Sequence, residues 1–211
     1  MISEEFQKFI ALEEDKRERI LNAAMGEFIN GYKKASTDNI VREAGISKGL
    51  LFHYFGTKEK LYNFLIDYAI DTMQADFIDL MNVRQKDILD SIWQLSLLKQ
   101  DVSRRYPTIF EFMARVYLDD KDCPAKAQLA RFNQIRAQTM QDIYAHCDRS
   151  LFRDDIPPHK AIEIISMTMD GYAQQIANQL RHKGGAVMGN YDTYLEELKE
   201  YLDIFRACFY K

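Results

Sequence analysis

Three features of the amino-acid sequence predict an all-α fold with about nine or ten helices. The chain of 211 residues contains only four prolines and nine glycines, which are the residues that most weaken helix interiors. Hydrophobic residues make up 47% of the chain, which is enough to bury a sizeable core. Over long stretches the apolar residues recur every three or four positions, which is the spacing of one helix face. Together these features favour a globular protein built from amphipathic helices.

The first two predicted helices cover residues 3–9 and 13–30. In the shorter one Ser3 is a candidate N-cap, and Phe6 and Phe9 are placed to pack on the helices that follow. Fraying of the terminus is the alternative for this segment. In the longer one Ile20 and Phe28 lie on one apolar face, which we expect to cover the next two helices.

Residues 36–58 predict two short helices joined by a tight turn. Ser36 is a candidate N-cap of the first helix, Gly45 ends it, and Ser47 is a candidate N-cap of the second. In the second helix Leu51 and Phe55 fall on the apolar face. Two helices joined by a short turn that contains glycine are the pattern of a helix-turn-helix.

The residues AGISKGLLFHYFGTKEKLY, preceded by RILNAAMGEFINGYKKASTDNIV, resemble the N-terminal DNA-binding region of the TetR/AcrR family of bacterial transcriptional regulators. The resemblance covers about residues 16–64 and rests on a dozen positions that agree in order and spacing. Two positions depart from the family pattern: Phe52 stands where tyrosine is more common, and Val41 where alanine is usual. The resemblance implies a homodimeric, ligand-responsive regulator of transcription.

The second helix of the motif is expected to enter the major groove of DNA. Its outward side chains predict base contacts, and the resemblance implies phosphate contacts and one glycine that permits close approach. The predicted DNA-binding residues are Lys48, Leu50 and His53 for bases, Thr37, Tyr54 and Lys58 for phosphates, Gly49 for close approach, and the two caps Ser36 and Ser47. The alternatives are that Lys48 is simply solvated and that His53 and Tyr54 pack against the first helix of the motif.

The distribution of charge agrees with a DNA-binding segment. The net charge of the chain is −4. Residues 16–60 contain nine Lys or Arg against five Asp or Glu, a local charge of +4, so the rest of the chain sums to −8. Since a duplex responds to the local charge of the surface that meets it, the acidic total does not exclude DNA binding.

The remaining residues predict a second, larger helical domain. We place the DNA-binding domain at residues 1–56 and an effector-binding and dimerisation domain at residues 57–211. The helices predicted after the motif cover residues 58–82, 86–104, 108–118, 124–146, 158–181 and 191–210. The first of these belongs to both domains and is expected to carry any signal between them.

Two sets of apolar residues in this domain are candidates for function. Aromatic and methionine side chains on the middle helices suit a pocket for a small apolar or aromatic effector; they are Trp93, Phe110, Met113, Tyr117, Phe132 and Met140. Stripes on the last two helices predict the homodimer interface; they are Ile162, Ile165, Met169, Tyr172 and Ile176, with Tyr194, Leu198, Leu202 and Phe205. For both sets, ordinary packing inside one chain is the alternative.

The sequence predicts no catalytic residue, metal site or cofactor. The four histidines are scattered and no nucleophile or phosphate-loop motif is present. The acidic residues Asp119, Asp120 and Asp122 near Cys123 are best explained as an exposed loop, and the three cysteines as free thiols. No apolar run approaches a membrane span, so a cytoplasmic protein is expected. The predicted partners are a palindromic duplex operator, an effector and a second copy of the chain; a small-molecule-binding helical protein without specific DNA binding is the alternative.

Overall fold

The computed structural model describes residues 6–81, 86–118, 124–183 and 191–211, and these form ten α-helices and no β-strand. The helices are α1 (Gln7–Ile10), α2 (Glu14–Phe28), α3 (Thr37–Ala44), α4 (Lys48–Phe55), α5 (Lys58–Met81), α6 (Ile88–Arg105), α7 (Pro107–Leu118), α8 (Lys126–Ala145), α9 (Pro158–Lys183) and α10 (Tyr191–Phe209). The predicted all-α fold class and helix number are confirmed.

The described helices divide into two compact units. The first unit holds the chain up to Asp76 together with Tyr106–Asn133, and the second holds Phe77–Arg105 together with Gln134–Lys211. Helices α5 and α8 therefore contribute residues to both units. The predicted boundary between residues 56 and 57 does not coincide with these units, and the division into a DNA-binding and an effector-binding domain stays a prediction.

Aromatic side chains form the core of the first unit near the N-terminus. Phe9 of α1 is fully buried, with its ring centroid 4.7 Å from that of Phe55 on α4 and 5.4 Å from that of Phe64 on α5. Arg17 of α2 donates to the carbonyl oxygen of Ile10 at 2.9 Å and so holds the end of α1. The short first helix is thus part of the core, while Ser3, its predicted N-cap, lies outside the described residues.

The core of the second unit lies between α6, α9 and α10. Its buried side chains come from the apolar face of each helix: Ile88, Leu89 and Ile92 from α6, Ala161 and Ile165 from α9, and Leu195, Leu198, Leu202 and Phe205 from α10. Removal of these faces from water is the main source of stability for helices of this kind.

A polar cluster fastens the C-terminus of the second unit to the start of α6. The carboxylate of Asp87 accepts hydrogen bonds from the Tyr210 hydroxyl at 2.8 Å, the Arg206 guanidinium at 2.9 Å and the Leu89 amide at 2.8 Å. Burial alone would raise the pKa of Asp87, but the hydrogen bonds from Tyr210, Arg206 and the amides of Asp90 and Leu89 lower it. The ionised carboxylate is therefore the form that this cluster stabilises.

Replacement of Asp87 by alanine is expected to lower the free energy of unfolding at pH 7 by about 1–3 kcal/mol, because the change removes a helix cap and leaves the Tyr210 hydroxyl without its acceptor. Since the folded-state pKa of Asp87 lies below the unfolded value near 4, the contribution is present at neutral pH and is lost as the pH falls through the folded-state pKa. Urea unfolding at pH 7 and pH 3 measures both effects. Asp90→Ala is the control, because Asp90 is exposed and its ion pair with Arg206 should contribute less than about 1 kcal/mol.

Candidate nucleic-acid interface

The start of α3 is held by two side-chain interactions. The Ser36 hydroxyl accepts from the Asn39 amide at 3.5 Å, which is the predicted N-cap. From α2, the Glu27 carboxylate accepts from the Ser36 amide at 2.9 Å and from the Asn39 side-chain amide at 3.2 Å. The sequence did not predict this role of Glu27, because the two hydrogen bonds join it to residues nine and twelve positions further along the chain.

The turn between α3 and α4 has the predicted chemistry. Gly45 has φ 64° and ψ 39°, a left-handed conformation that only glycine adopts without strain. The Ile46 amide donates to the carbonyl oxygen of Val41 at 3.0 Å and closes α3. The Ser47 hydroxyl then accepts from the Leu50 amide at 3.2 Å and caps α4. The turn therefore sets the direction in which α4 leaves the core.

Helix α4 presents one polar face to solvent and one apolar face to the core. Ser47, Lys48, Gly49 and His53 are exposed. Leu51 and Phe55 are buried, and each residue has only 1% of its surface accessible to solvent. Leu50, Phe52 and Tyr54 are intermediate. Three predicted DNA-facing residues of α4 and its N-cap Ser47 are thus open to solvent.

Lys48 forms a salt bridge with Asp38 at the first turn of α3, with 2.8 Å between the Nζ and Oδ1 atoms. Both side chains are more than half exposed, so the pair adds little to stability. The salt bridge does hold the ammonium group of Lys48, a predicted base contact, close to the carboxylate of Asp38. A phosphate or a base edge would have to compete with Asp38 for Lys48.

The predicted phosphate contacts Tyr54 and Lys58 each lie against an aromatic ring. The Tyr54 ring is 5.8 Å from the ring of Phe9, so part of this side chain packs on the core. The Lys58 ammonium lies 4.8 Å from the centre of the Tyr32 ring. Burial lowers the pKa of Lys58, and Glu27 opposes that shift. Thr37 begins α3 and is intermediate in exposure.

The six predicted effector residues fall in both compact units. Phe110, Met113 and Tyr117 on α7 and Phe132 on α8 belong to the first unit, where Met113 is buried in the core. Trp93 and Met140 belong to the second unit, where both are partly buried and pack against its core. The structure therefore brings Trp93 and Met140 to one cluster.

The predicted dimer stripes contribute to the core of the second unit. Ile165, Leu198, Leu202 and Phe205 are buried there, and Ile162, Met169 and Tyr172 pack against them. Tyr172 also donates from its hydroxyl to the Tyr194 carbonyl oxygen at 2.9 Å, while Ile176 is intermediate in exposure. These stripes thus have partners within their own chain, which is the alternative that sequence analysis left open.

A different set of apolar residues on α9 and α10 faces solvent. Ile164, Met167 and Ile204 have 46%, 68% and 56% of their surfaces exposed. Ile164 and Met167 are three positions apart on α9, with exposed Gly171 one turn further on. We call these four residues the outer surface of α9 and α10. In the sequence, Ile164 and Met167 form a second apolar repeat on α9, beside the stronger stripe that contains Ile165.

Residues 20–64, which include α3, the turn and α4, match the family model described as bacterial regulatory proteins, tetR family. Through this segment the chain is similar to the tetR family of bacterial regulatory proteins. The match supports a DNA-binding segment of the kind found in bacterial regulatory proteins.

Two solved structures have the same fold along nearly the whole chain. A TetR family transcriptional regulator from Chloroflexus aurantiacus J-10-FL has a TM-score of 0.61 at 20% identity and covers 97% of this chain and 98% of its own. The ketosteroid transcriptional regulator KstR2 of Mycobacterium tuberculosis has a TM-score of 0.60 at 18% identity, with 95% and 97% covered. At these identities the likeness shows the fold.

The chain is also similar in sequence to the nucleoid occlusion factor SlmA of Actinobacillus pleuropneumoniae serotype 5b (strain L20). It is 20% identical over 120 residues, or 56% of this chain and 59% of the relative. The match thus spans little more than half the length of that relative.

Two other classes of site are absent from the described part of the chain. No helix there is both long enough and apolar enough to cross a membrane. No group of three or more His, Cys, Asp or Glu in the described ranges could hold a metal ion. Asp119, Asp120, Asp122 and Cys123 lie outside the described residues.

Asp38→Asn is expected to raise DNA affinity about threefold to tenfold. The substitution removes a negative charge beside the duplex and releases Lys48 from its 2.8 Å ion pair. Fluorescence anisotropy with a duplex site at fixed salt measures the change. Glu43→Gln removes an equal charge from the other end of α3, where Glu43 faces Arg42, and so reports the general charge effect. Equal gains for the two variants would contradict a specific competition for Lys48.

Proposed function

We propose that the protein binds a palindromic DNA operator as a homodimer and represses transcription until a small effector releases it. The observation that carries this proposal is the outward face of α4. Its N-terminus is fixed by the Ser47 cap, and Lys48, Gly49 and His53 are exposed beyond it. A major groove accepts an α-helix, and the first turns of a recognition helix meet the base edges.

The glycine in α4 supports this role for the helix. Gly49 has no positive φ, and a Cβ atom built there would meet no atom within 4 Å. The chain's own packing therefore does not need a glycine at this position, although glycine costs a helix about 0.5–1 kcal/mol relative to alanine. Close approach of the helix backbone to a duplex would explain why the side chain is absent.

The outer surface of α9 and α10 supports pairing of two chains. Ile164, Met167 and Ile204 are exposed apolar side chains, and a Cβ atom on Gly171 would meet nothing within 4 Å. A small residue beside apolar ones permits two helices to approach closely. A symmetric pair would present two copies of α4 to successive major grooves about 34 Å apart, which matches a palindromic operator.

An ion-pair cluster in the first unit supports a route by which effector binding acts on the DNA-binding helices. Arg131 of α8 donates to Asp67 at 3.0 Å and to Asp71 at 2.5 Å, both on α5. Gln128 of α8 donates to Asp67 at 3.2 Å. Because α5 begins directly after α4 and its turn, a shift of α8 can be passed to the DNA-binding helices through these contacts. An effector acts in this way only if it binds one arrangement more tightly than the other.

Selection of bound sequences from a random duplex pool, at a stated moderate salt concentration, tests the proposal. We expect recovery of a palindrome with two half-sites. Lys48→Ala should weaken binding to that palindrome by about 1–3 kcal/mol, whereas Lys199→Ala on exposed α10 should not. The proposal fails if the folded, dimeric protein recovers no motif. In that case, the better interpretation is a helical protein that binds a small molecule and has no specific DNA binding.

A further inference from the structure

The short helix α1 packs against the C-terminal end of α4. Phe9 of α1 is fully buried, and its ring centroid lies 4.7 Å from that of Phe55 and 5.8 Å from that of Tyr54. These two residues are the last of α4, the helix whose outward face carries the predicted base contacts. Helix α1 itself lies outside residues 20–64, which match the family model. The chain thus adds a support for α4 from beyond the matched segment.

Helix α1 is fastened to two further helices. The ring of Phe6, directly before α1, lies 4.8 Å from the ring of Phe64 on α5. On the other side, the Arg17 guanidinium of α2 donates to the carbonyl oxygen of Ile10 at 2.9 Å and to that of Leu12 at 3.4 Å. Because α2 and α5 both hold α1, the helix offers α4 a fixed surface rather than a frayed end.

Tyr54 differs from its neighbours in the same aromatic cluster because it is only partly buried. Its ring meets the ring of Phe9 edge to face, at an interplanar angle of 63°. Among the described residues its hydroxyl has no hydrogen-bond partner. A side chain that is already held in its binding conformation loses less conformational entropy when it binds. The contact with Phe9 therefore leaves the Tyr54 hydroxyl available and restricts the ring that carries it.

We propose that Phe9 is a positioning residue for DNA binding, which holds the Tyr54 ring so that its hydroxyl donates to a phosphate of the duplex backbone. The inference rests on the proposed function, since it adds a residue to the proposed DNA-binding machinery. Phe9 is fully buried and touches no DNA itself. A hydroxyl bound to a phosphate is a charge-assisted contact, and such contacts set the register of a recognition helix on the duplex.

A double-mutant cycle between Phe9→Leu and Tyr54→Phe tests the inference, with anisotropy on the selected palindrome as the readout. Tyr54→Phe keeps the ring and removes the hydroxyl, so the operator affinity should fall about tenfold. Phe9→Leu frees the Tyr54 ring and should lower the affinity about threefold to tenfold. In the Tyr54→Phe background, Phe9→Leu should change the affinity less than about twofold, because its effect passes through the missing hydroxyl.

Phe64→Leu is the matched control. Phe64 is also buried, and its ring packs on that of Phe9 at 5.4 Å but makes no ring contact with Tyr54 among the described residues. Thermal unfolding should show a similar loss of stability for Phe64→Leu and Phe9→Leu, whereas only Phe9→Leu should weaken operator binding. If Phe9→Leu does not fold, Arg17→Met takes its place in the cycle, because this change releases the end of α1 and leaves the aromatic core in place.

An equal loss from Phe9→Leu in both backgrounds would mean that Phe9 only stabilises the fold, and it would overturn the inference. An unchanged affinity in Phe9→Leu, or an equal loss in Phe64→Leu, would do the same. A protein that binds the palindrome and shows additive effects contradicts only the role of Phe9. A folded protein that binds no palindrome contradicts the proposed function, and the inference falls with it.

Discussion

The double variant Met167→Glu with Ile204→Glu is expected to be a folded monomer that binds a single operator half-site weakly. Both side chains are more than half exposed in the single chain, so the substitutions should leave the fold intact. In a symmetric dimer each glutamate appears twice in an apolar contact, where an unpaired charge costs several kcal/mol. The dissociation constant of the dimer should rise at least hundredfold, or about 2.7 kcal/mol.

Sedimentation analysis over a range of protein concentrations measures this change, and anisotropy with full and half operators measures its effect on DNA binding. Lys199→Glu is the matched control, because Lys199 is exposed on α10 and its replacement changes the net charge by the same two units. The control should stay dimeric. If the double variant is still a dimer, the outer surface of α9 and α10 is not the dimer interface.

Gly49→Ala is expected to stabilise the protein and to weaken DNA binding. A methyl group at this position meets no atom of the chain within 4 Å, so the helix should gain about 0.5–1 kcal/mol. If α4 lies against the base edges, the same methyl group occupies space that the duplex needs. The affinity for the operator should fall at least tenfold, or about 1.4 kcal/mol.

Gly26→Ala provides a control with the same chemistry at a distant site. Gly26 is exposed on α2, its φ is not positive, and a Cβ atom there also meets nothing within 4 Å. Thermal unfolding should show a similar stabilisation for both variants, whereas operator binding should change only for Gly49→Ala. Unchanged affinity in Gly49→Ala would contradict docking of this face of α4.

The motif could be predicted from the sequence because its determinants are local. Ser36, Gly45 and Ser47 act on backbone groups within a few residues of themselves, as the caps and the left-handed turn show. The alternation of Leu51 and Phe55 with exposed residues likewise follows from the helix period. The family match over residues 20–64 falls on this same segment.

The roles of Glu27 and Asp38 could not be predicted in this way. Glu27 interrupts an apolar face of α2 in the sequence, and only the packing of α2 on α3 brings its carboxylate to the Ser36 amide. Asp38 favours the start of α3 by the helix dipole, but its pairing with Lys48 depends on the angle between two helices. Angles between helices are set by side-chain packing, which no local pattern specifies.

The stripes on α9 and α10 show the same limit for interfaces. Periodicity identified Ile165, Leu198 and Leu202 as members of apolar faces, and the structure buries them within one chain. A periodic stripe specifies that a face will be covered but not by which partner. The residues left for a second chain, Ile164, Met167 and Ile204, became visible only once the intrachain core was known.

The helical class, the helix-turn-helix with its caps, and the residues on its outward face follow from local sequence, because each depends on backbone chemistry within one or two turns. Only the packing of the helices set which stripes are core and how Glu27 holds α3. These features join residues that are distant in the chain, and their proximity arises only when helices pack against one another.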